Sequence, residues 1–148
     1  MKVFLDTNVL ASAAATRGLC ADVLREVLAC PELIISEQVL RELRHVLESK
    51  FGVREELIED FLGLLQQGAI LGVPGPTPEV KLRDKDEQFI LAAAIAVGAE
   101  GFVTGDKELL GLGHVGSLKI LSPRQFWEGL KVREQRRSEH GQRRQGED

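Results

Sequence analysis

The residues of this chain best placed for chemistry are carboxylates. The stretch VFLDTN (3–8) runs three apolar residues straight into Asp6, with Thr7 and Asn8 behind it. GFVTGD (101–106) has the same form: an apolar run that ends in a hydroxyl and an acid, Thr104 and Asp106. A third group, Asp84-Lys85-Asp86-Glu87, stands just ahead of the apolar run FILAAAIAV. The fourth is Glu42, with Val39 at i−3 and Val46 at i+4, which puts its carboxylate on the border of an apolar helix stripe. Each has an ordinary explanation in a turn, a helix cap or a solvated boundary residue. Gathered at one place, they would repel unless a divalent cation neutralised them. Oxygen donors without Cys or His point to Mg²⁺ or Mn²⁺ and away from zinc. Such an ion can activate a water and neutralise charge building on a phosphate. The chemistry this supports is metal-assisted phosphodiester hydrolysis. Thr104, on the same side of an extended strand as Asp106, could orient a ligand water; strand-end β propensity explains it as well. Asn8 could steady Asp6 or a ligand water, cap the first helix, or do both.

These side chains converge only if the elements that carry them alternate in the right way. Strands are predicted at Lys2–Leu5, Leu33–Ile35, Ala69–Val73, Gly101–Thr104 and Lys119–Leu121. Between them, helical spacing covers 8–15, 21–29, 37–51, 54–67, 86–97 and 107–110. Pro31 ends the second helix, Ser36 caps the third, and PGPTP (74–78) is a stiff loop. Ser122-Pro123 reads as an N-cap followed by Pro at the first helical position, opening a last helix through Leu130. Nearly every residue from Phe89 to Val97 is apolar, so that helix is expected to be buried all round. Short apolar strands separated by helices imply a parallel sheet covered on both faces. Ligands bind such sheets at the carboxyl ends of the strands, where Asp6 and Asp106 lie.

The chain has 148 residues, enough for one domain with a proper core. Its net charge is −4; the tail 131–148 holds six Lys/Arg against four acids, which leaves −6 on the rest. An acidic body disfavours passive nucleic-acid binding but leaves room for a metal-bridged nucleic-acid substrate. With no tyrosine, one tryptophan and six phenylalanines, no stacking platform for single strands is visible. Cys20 and Cys30 lack metal-ligand spacing and read as small buried side chains in a reducing compartment. No apolar run reaches the roughly 18–20 residues of a membrane span. MKVFLDTN meets an acid too early for a signal peptide, so a cytoplasmic protein is expected. There is no GxxxxGK[ST] and no strand-linked GxGxxG, which argues against P-loop and dinucleotide chemistry. Asp6 also lacks the second Asp two residues on that haloacid-dehalogenase-type phosphatases carry, and the acidic pair of a receiver domain.

In order and spacing, LDTNVL, SEQVLREL with Glu42, RDKDEQFILAAA and VTGDKELL resemble the PIN-domain ribonucleases, and within them the VapC-like toxins of toxin–antitoxin pairs. The resemblance covers about residues 1–130; the charged tail 131–148 lies outside it and reads as a helix extension that frays into a flexible end. It implies a Rossmann-like α/β/α sandwich of three layers around a mainly parallel sheet, and a Mg²⁺- or Mn²⁺-dependent endoribonuclease. By position it makes Asp6, Glu42 and Asp106 metal-binding acids, with Thr104 and Asn8 supporting them. Where the family has an Asp pair before the buried helix, this chain has Asp86-Glu87; Asp86 is the first choice for the remaining acid and Glu87 the second. An RNA substrate, an antitoxin partner and a homodimer or higher assembly follow from the same likeness. The Glu87 departure and the acidic body keep a second reading open, a non-catalytic PIN-like module that binds RNA or protein. A metal phosphatase or DNA nuclease on the same sheet is a third.

Overall fold

The computed structural model describes residues 2–29, 33–73, 75–76, 80 and 82–145, with side chains through Glu139. Cys30, Pro31 and most of the PGPTP loop lie outside the described residues. The chain runs β1 (Val3–Leu5), α1 (Thr7–Ala15), α2 (Leu19–Ala29), β2 (Leu33–Ser36), α3 (Glu37–Ser49), α4 (Glu55–Gly68) and β3 (Ala69–Gly72). It continues with α5 (Lys85–Ala96), β4 (Gly101–Val103), α6 (Lys107–Leu112), β5 (His114–Val115), β6 (Leu118–Leu121) and α7 (Pro123–Gln145). The sheet order is β3-β2-β1-β4-β6-β5, parallel except where β5 pairs antiparallel with β6. Every residue of β1, β2 and β4 is buried. Side chains alternate between sheet faces, so burial of consecutive residues means that helices cover both. The fold is thus the expected α/β sandwich around a mainly parallel sheet.

The strand order sets where a site can form. From β1 the chain steps outward through β2 to β3, then returns to lay β4 on the other side of β1. The crevice beyond the carboxyl ends of β1 and β4 is therefore the point where the winding reverses, the usual ligand position in such sheets. Phe4 and Phe102 are register partners across this pair and stack with ring centroids 5.2 Å apart and planes 6° from parallel. Both are fully buried, and a stacked pair adds about 0.5–1.5 kcal/mol beyond its burial.

Local capping follows sequence closely. Ser36 Oγ accepts from the Val39 N–H at 3.2 Å. Ser122 and Gln125 cap each other reciprocally across the first turn of α7. Gly98, at φ +73°, closes α5 in the left-handed region. A Cβ on Gly75 would stand 2.7 Å from that of Ala96, so only glycine lets the loop lie against α5.

Three expectations change. The first helix is capped by Asp6, and Asn8 lies one residue inside it. A sixth strand, the short β5 at His114–Val115, adds to the five expected. The helix α5 is not buried all round: Phe89 is 52% exposed and Ile95 39%. Phe89 lies beside β3, the edge strand of the sheet, where Leu71 is also exposed. Cys20 is a free, partly buried thiol whose pKa burial pushes up. Among the described residues, no helix is long and apolar enough to cross a membrane.

Candidate active site

Asp6 is the innermost acid. Its backbone N–H donates to Val103 O at 2.9 Å, which extends the β1–β4 ladder by one bond and holds the residue beside β4. The Thr104 N–H does the same toward Leu121 O on β6, also at 2.9 Å. The Asp6 side chain is 7% exposed. One carboxylate oxygen accepts the Thr7 N–H at 2.8 Å and so caps α1; the other accepts the Thr104 hydroxyl at 2.7 Å. Thr104 itself is fully buried, and its oxygen accepts the Asp106 N–H at 3.0 Å. One hydroxyl thus joins the two strand-end acids.

Asp106 repeats the geometry of Asp6. Its Oδ1 accepts from the Glu108 and Leu109 N–H groups at 2.9 and 3.1 Å and caps α6. Capping and site placement are therefore compatible, because a carboxylate has about four lone-pair positions and the caps use only some of them. Glu42 arrives from α3, where its Oε2 accepts the Thr7 hydroxyl at 2.8 Å. Gln38, one turn earlier, donates to Glu42 Oε1 at 3.3 Å and to the Asp86 backbone carbonyl at 3.2 Å, which ties α3 to the start of α5.

The α5 N-terminus separates the two adjacent acids. Asp84 caps the helix through the Asp86 N–H at 2.9 Å. In the same first turn Glu87 points inward, and carboxylate oxygens of Glu87, Asp106 and Glu108 lie within 4.8 Å of one another. Asp86 is exposed, and its only hydrogen bonds among the described residues run through its backbone. The geometry therefore brings Asp6, Glu42, Glu87 and Asp106 together and leaves the Asp86 carboxylate outside. Asn8 is exposed and makes no side-chain hydrogen bond among the described residues; its neighbour Thr7 makes the contact to Glu42 instead.

Electrostatics bear the mark of crowding. Burial raises the Asp6 pKa most, the bonds from Thr104 and Thr7 lower it, and the charges of Glu42 and Asp106 raise it again. Glu87 is pushed up to about 7 by burial first, then by the charge and hydrogen-bonding approach of Asp106, with Asp6 and Asp84 adding to it. Raised carboxyl pKa values are what burial and mutual repulsion of acids produce, and a hard cation held by these oxygens would relieve that repulsion. All donors are oxygens, so the set fits Mg²⁺ or Mn²⁺ better than softer metals.

Two members were not singled out from sequence. Glu108, whose Oε1 also accepts the Arg83 N–H at 3.0 Å, follows Asp106 by two residues and reads as an ordinary first-turn acid. Thr7 stands directly after the strand-end acid, and that position was its one available signal.

Comparison with known proteins places the chain. A PIN-domain family model matches residues 2–108. No curated protein matches the sequence. Among solved structures, the chain resembles VapBC2 from Rickettsia felis, solved bound to a DNA fragment from its promoter, at TM-score 0.58 and 17% identity, covering 82% of this chain and 98% of that one. It also resembles the PIN domain of T. brucei RRP44, at TM-score 0.56 and 15% identity, covering 94% and 86%. At such identities these likenesses carry the fold, while the sequence match spans β1 to the start of α6 and every acid of the cluster. The chain belongs to the PIN-domain family.

Proposed function

We propose that the chain is a Mg²⁺- or Mn²⁺-dependent endoribonuclease and the toxin of a toxin–antitoxin pair. The observation that carries this reading is the convergence of Asp6, Glu42, Glu87 and Asp106 at the carboxyl ends of β1 and β4. PIN-domain membership and the likeness to a VapBC complex support the same kind of protein. Asp6, Asp106 and Glu87 would hold the ion, with Glu42 and Glu108 flanking them. Bound there, the ion supplies water activation and neutralises charge on the phosphate. Thr104 fixes the Asp6 carboxylate and the Asp106 backbone in one arrangement, so the acids need not reorganise as substrate arrives. Thr7 and Gln38 do the same for Glu42. We assign the role of the third acid to Glu87 ahead of Asp86, on the strength of its approach to Asp106.

A toxin requires a protein partner. The exposed Phe51, Leu57 and Leu64, which line a groove with α1, α3 and α4, support a protein contact of this kind, with an antitoxin or with a second copy of the chain.

The decisive experiment incubates purified protein with single-stranded RNA and single-stranded DNA, with and without Mn²⁺. Mn²⁺-dependent RNA cleavage is expected, lost in Asp106→Asn while circular dichroism stays that of the wild type. Full activity of Asp106→Asn would falsify the assignment. A protein whose melting temperature and activity ignore Mn²⁺ is the non-catalytic module instead.

A further inference from the structure

Beside the acid cluster lies a second feature that the nuclease chemistry does not use. A groove of about 290 Å³ opens between the first turns of α3, the side of α5 and edge strand β3. Its apolar lining is formed by Phe89, Leu71, Val73 and Ala93, and its polar lining by Ser36, Glu37, Gln38 and Arg41, so one acid and one base stand side by side on α3. Phe89, Leu71 and Val73 are 52%, 50% and 66% exposed. Gln38 belongs to both places: it lines the groove and donates to Glu42 of the cluster. The groove and the cluster thus share a wall one side chain thick.

We propose that this groove is a subsite for one nucleobase of a single-stranded RNA chain whose scissile phosphate lies at the acid cluster. The proposal rests on the nuclease reading above. Size, chemistry and position select the occupant. Ligand pockets for drug-sized molecules start at about 300 Å³, so the groove itself holds about one ring system, and a second copy covering this face is an outcome that the test separates. An open aromatic face is the sequence-tolerant platform on which bases stack. With both Gln38 N–H groups held by Glu42 and the Asp86 carbonyl, the polar lining offers the Gln38 amide oxygen as an acceptor and the Arg41 guanidinium as a donor, which suit a heterocycle and its phosphate and not an aliphatic side chain. Among the described residues, Arg41 has no carboxylate oxygen within 4 Å, and it lines the groove on the side of α3 that also carries Gln38. It is also a positive group next to an acidic centre that otherwise repels the RNA backbone. Phe89 is therefore a binding residue and Gln38 a positioning residue that links base capture to Glu42.

The test is direct binding, measured by fluorescence anisotropy with a short fluorescein-labelled single-stranded oligoribonucleotide in Ca²⁺. Phe89→Ala is expected to weaken Kd roughly tenfold, the lower part of what one stacked base contributes. Phe89→Trp should keep wild-type affinity. An oligonucleotide with one abasic position should lose about the same factor with the wild type and little with Phe89→Ala. Phe89 is exposed, so its removal leaves the fold intact, which a melting curve checks. A Kd for Phe89→Ala within about twofold of wild type, an equal abasic loss in both proteins, or no RNA binding by the wild type overturns the proposal. A change in sedimentation with unchanged RNA affinity gives the groove to a second copy and also overturns it. Cleavage in Mn²⁺ is scored separately. Its absence alongside the expected Kd pattern sinks the nuclease reading and keeps the subsite; cleavage with Kd insensitive to Phe89 does the reverse.

Discussion

Two ionisable groups and one hydroxyl decide how the centre behaves. Thr104 uses its hydroxyl in both directions, as donor to Asp6 and as acceptor from the Asp106 N–H. Thr104→Val keeps the shape and removes both bonds. A buried acid left short of a donor costs about 1–3 kcal/mol, readable as a lower urea midpoint. The Asp6 carboxylate also loses the bond that orients it, so Mn²⁺ affinity by calorimetry falls, and Thr104→Ser restores it. Unchanged stability and affinity would show that the hydroxyl bridge is ornamental. Glu87 gives a pH signature. Its carboxyl is pushed up to about 7, above its ordinary value of 4.5, so the folded state binds this proton more tightly than the unfolded one. Its contribution is fully present below pH 4.5 and is lost as pH rises through about 7. Metal-free protein should therefore show a steeper fall in melting temperature between pH 5 and 8 than Glu87→Gln does. Because the ion must displace that proton, Mn²⁺ should raise the melting temperature more at pH 8 than at pH 5. Parallel curves for the two proteins would remove Glu87 from the site.

At the scale of elements, the acids depend on how firmly β1 is held against β4. The Phe4–Phe102 stack lies two residues below Asp6 and Thr104 on neighbouring strands. Phe102→Ala should cost about 3–5 kcal/mol, measured by urea unfolding; a loss below 1 kcal/mol would mean that the pair does not brace the site. The elements were legible in sequence where the signal is local. Five parallel strands show as apolar runs, and Ser36, Gly98 and Ser122-Pro123 mark helix ends by their own backbone chemistry. Asp6 and Asp106 were legible because a strand-end acid is itself a local pattern. What depends on a neighbour was not. The strand β5 has two residues, too few to show a period, although Gly116 at φ +59° turns it into β6. The composition of α5 implied burial, yet Phe89 is open because the adjoining strand is a sheet edge. Asp86 and Glu87 are one residue apart and equivalent in sequence; only the rotation of α5 relative to Asp106 separates them. Glu42 and Thr7 meet across 35 residues, a pairing no window along the chain contains.

For the whole molecule, the open question is where the folded body ends. Helix α7 runs 23 residues, about 34 Å at 1.5 Å per residue, while β6 beneath its start has four. Phe126 is buried and Trp127 and Leu130 are half-buried, but every residue from Lys131 to Glu139 is exposed. Lys131 still lies over the Trp127 ring at 4.4 Å, and its pair with Glu134 is a solvated one of small worth. A chain cut after Arg133 tests the boundary cleanly. The removed piece carries four arginines and four acids, so the body's formal charge does not change and only packing is altered. A helical stretch whose described residues, Lys131 to Glu139, are all exposed contributes little to stability. The shortened protein should unfold within about 0.5 kcal/mol of the full chain, and its Mn²⁺-dependent cleavage should be unchanged. A large loss of stability on this cut would place the tail within the folded domain and move the boundary well beyond residue 130.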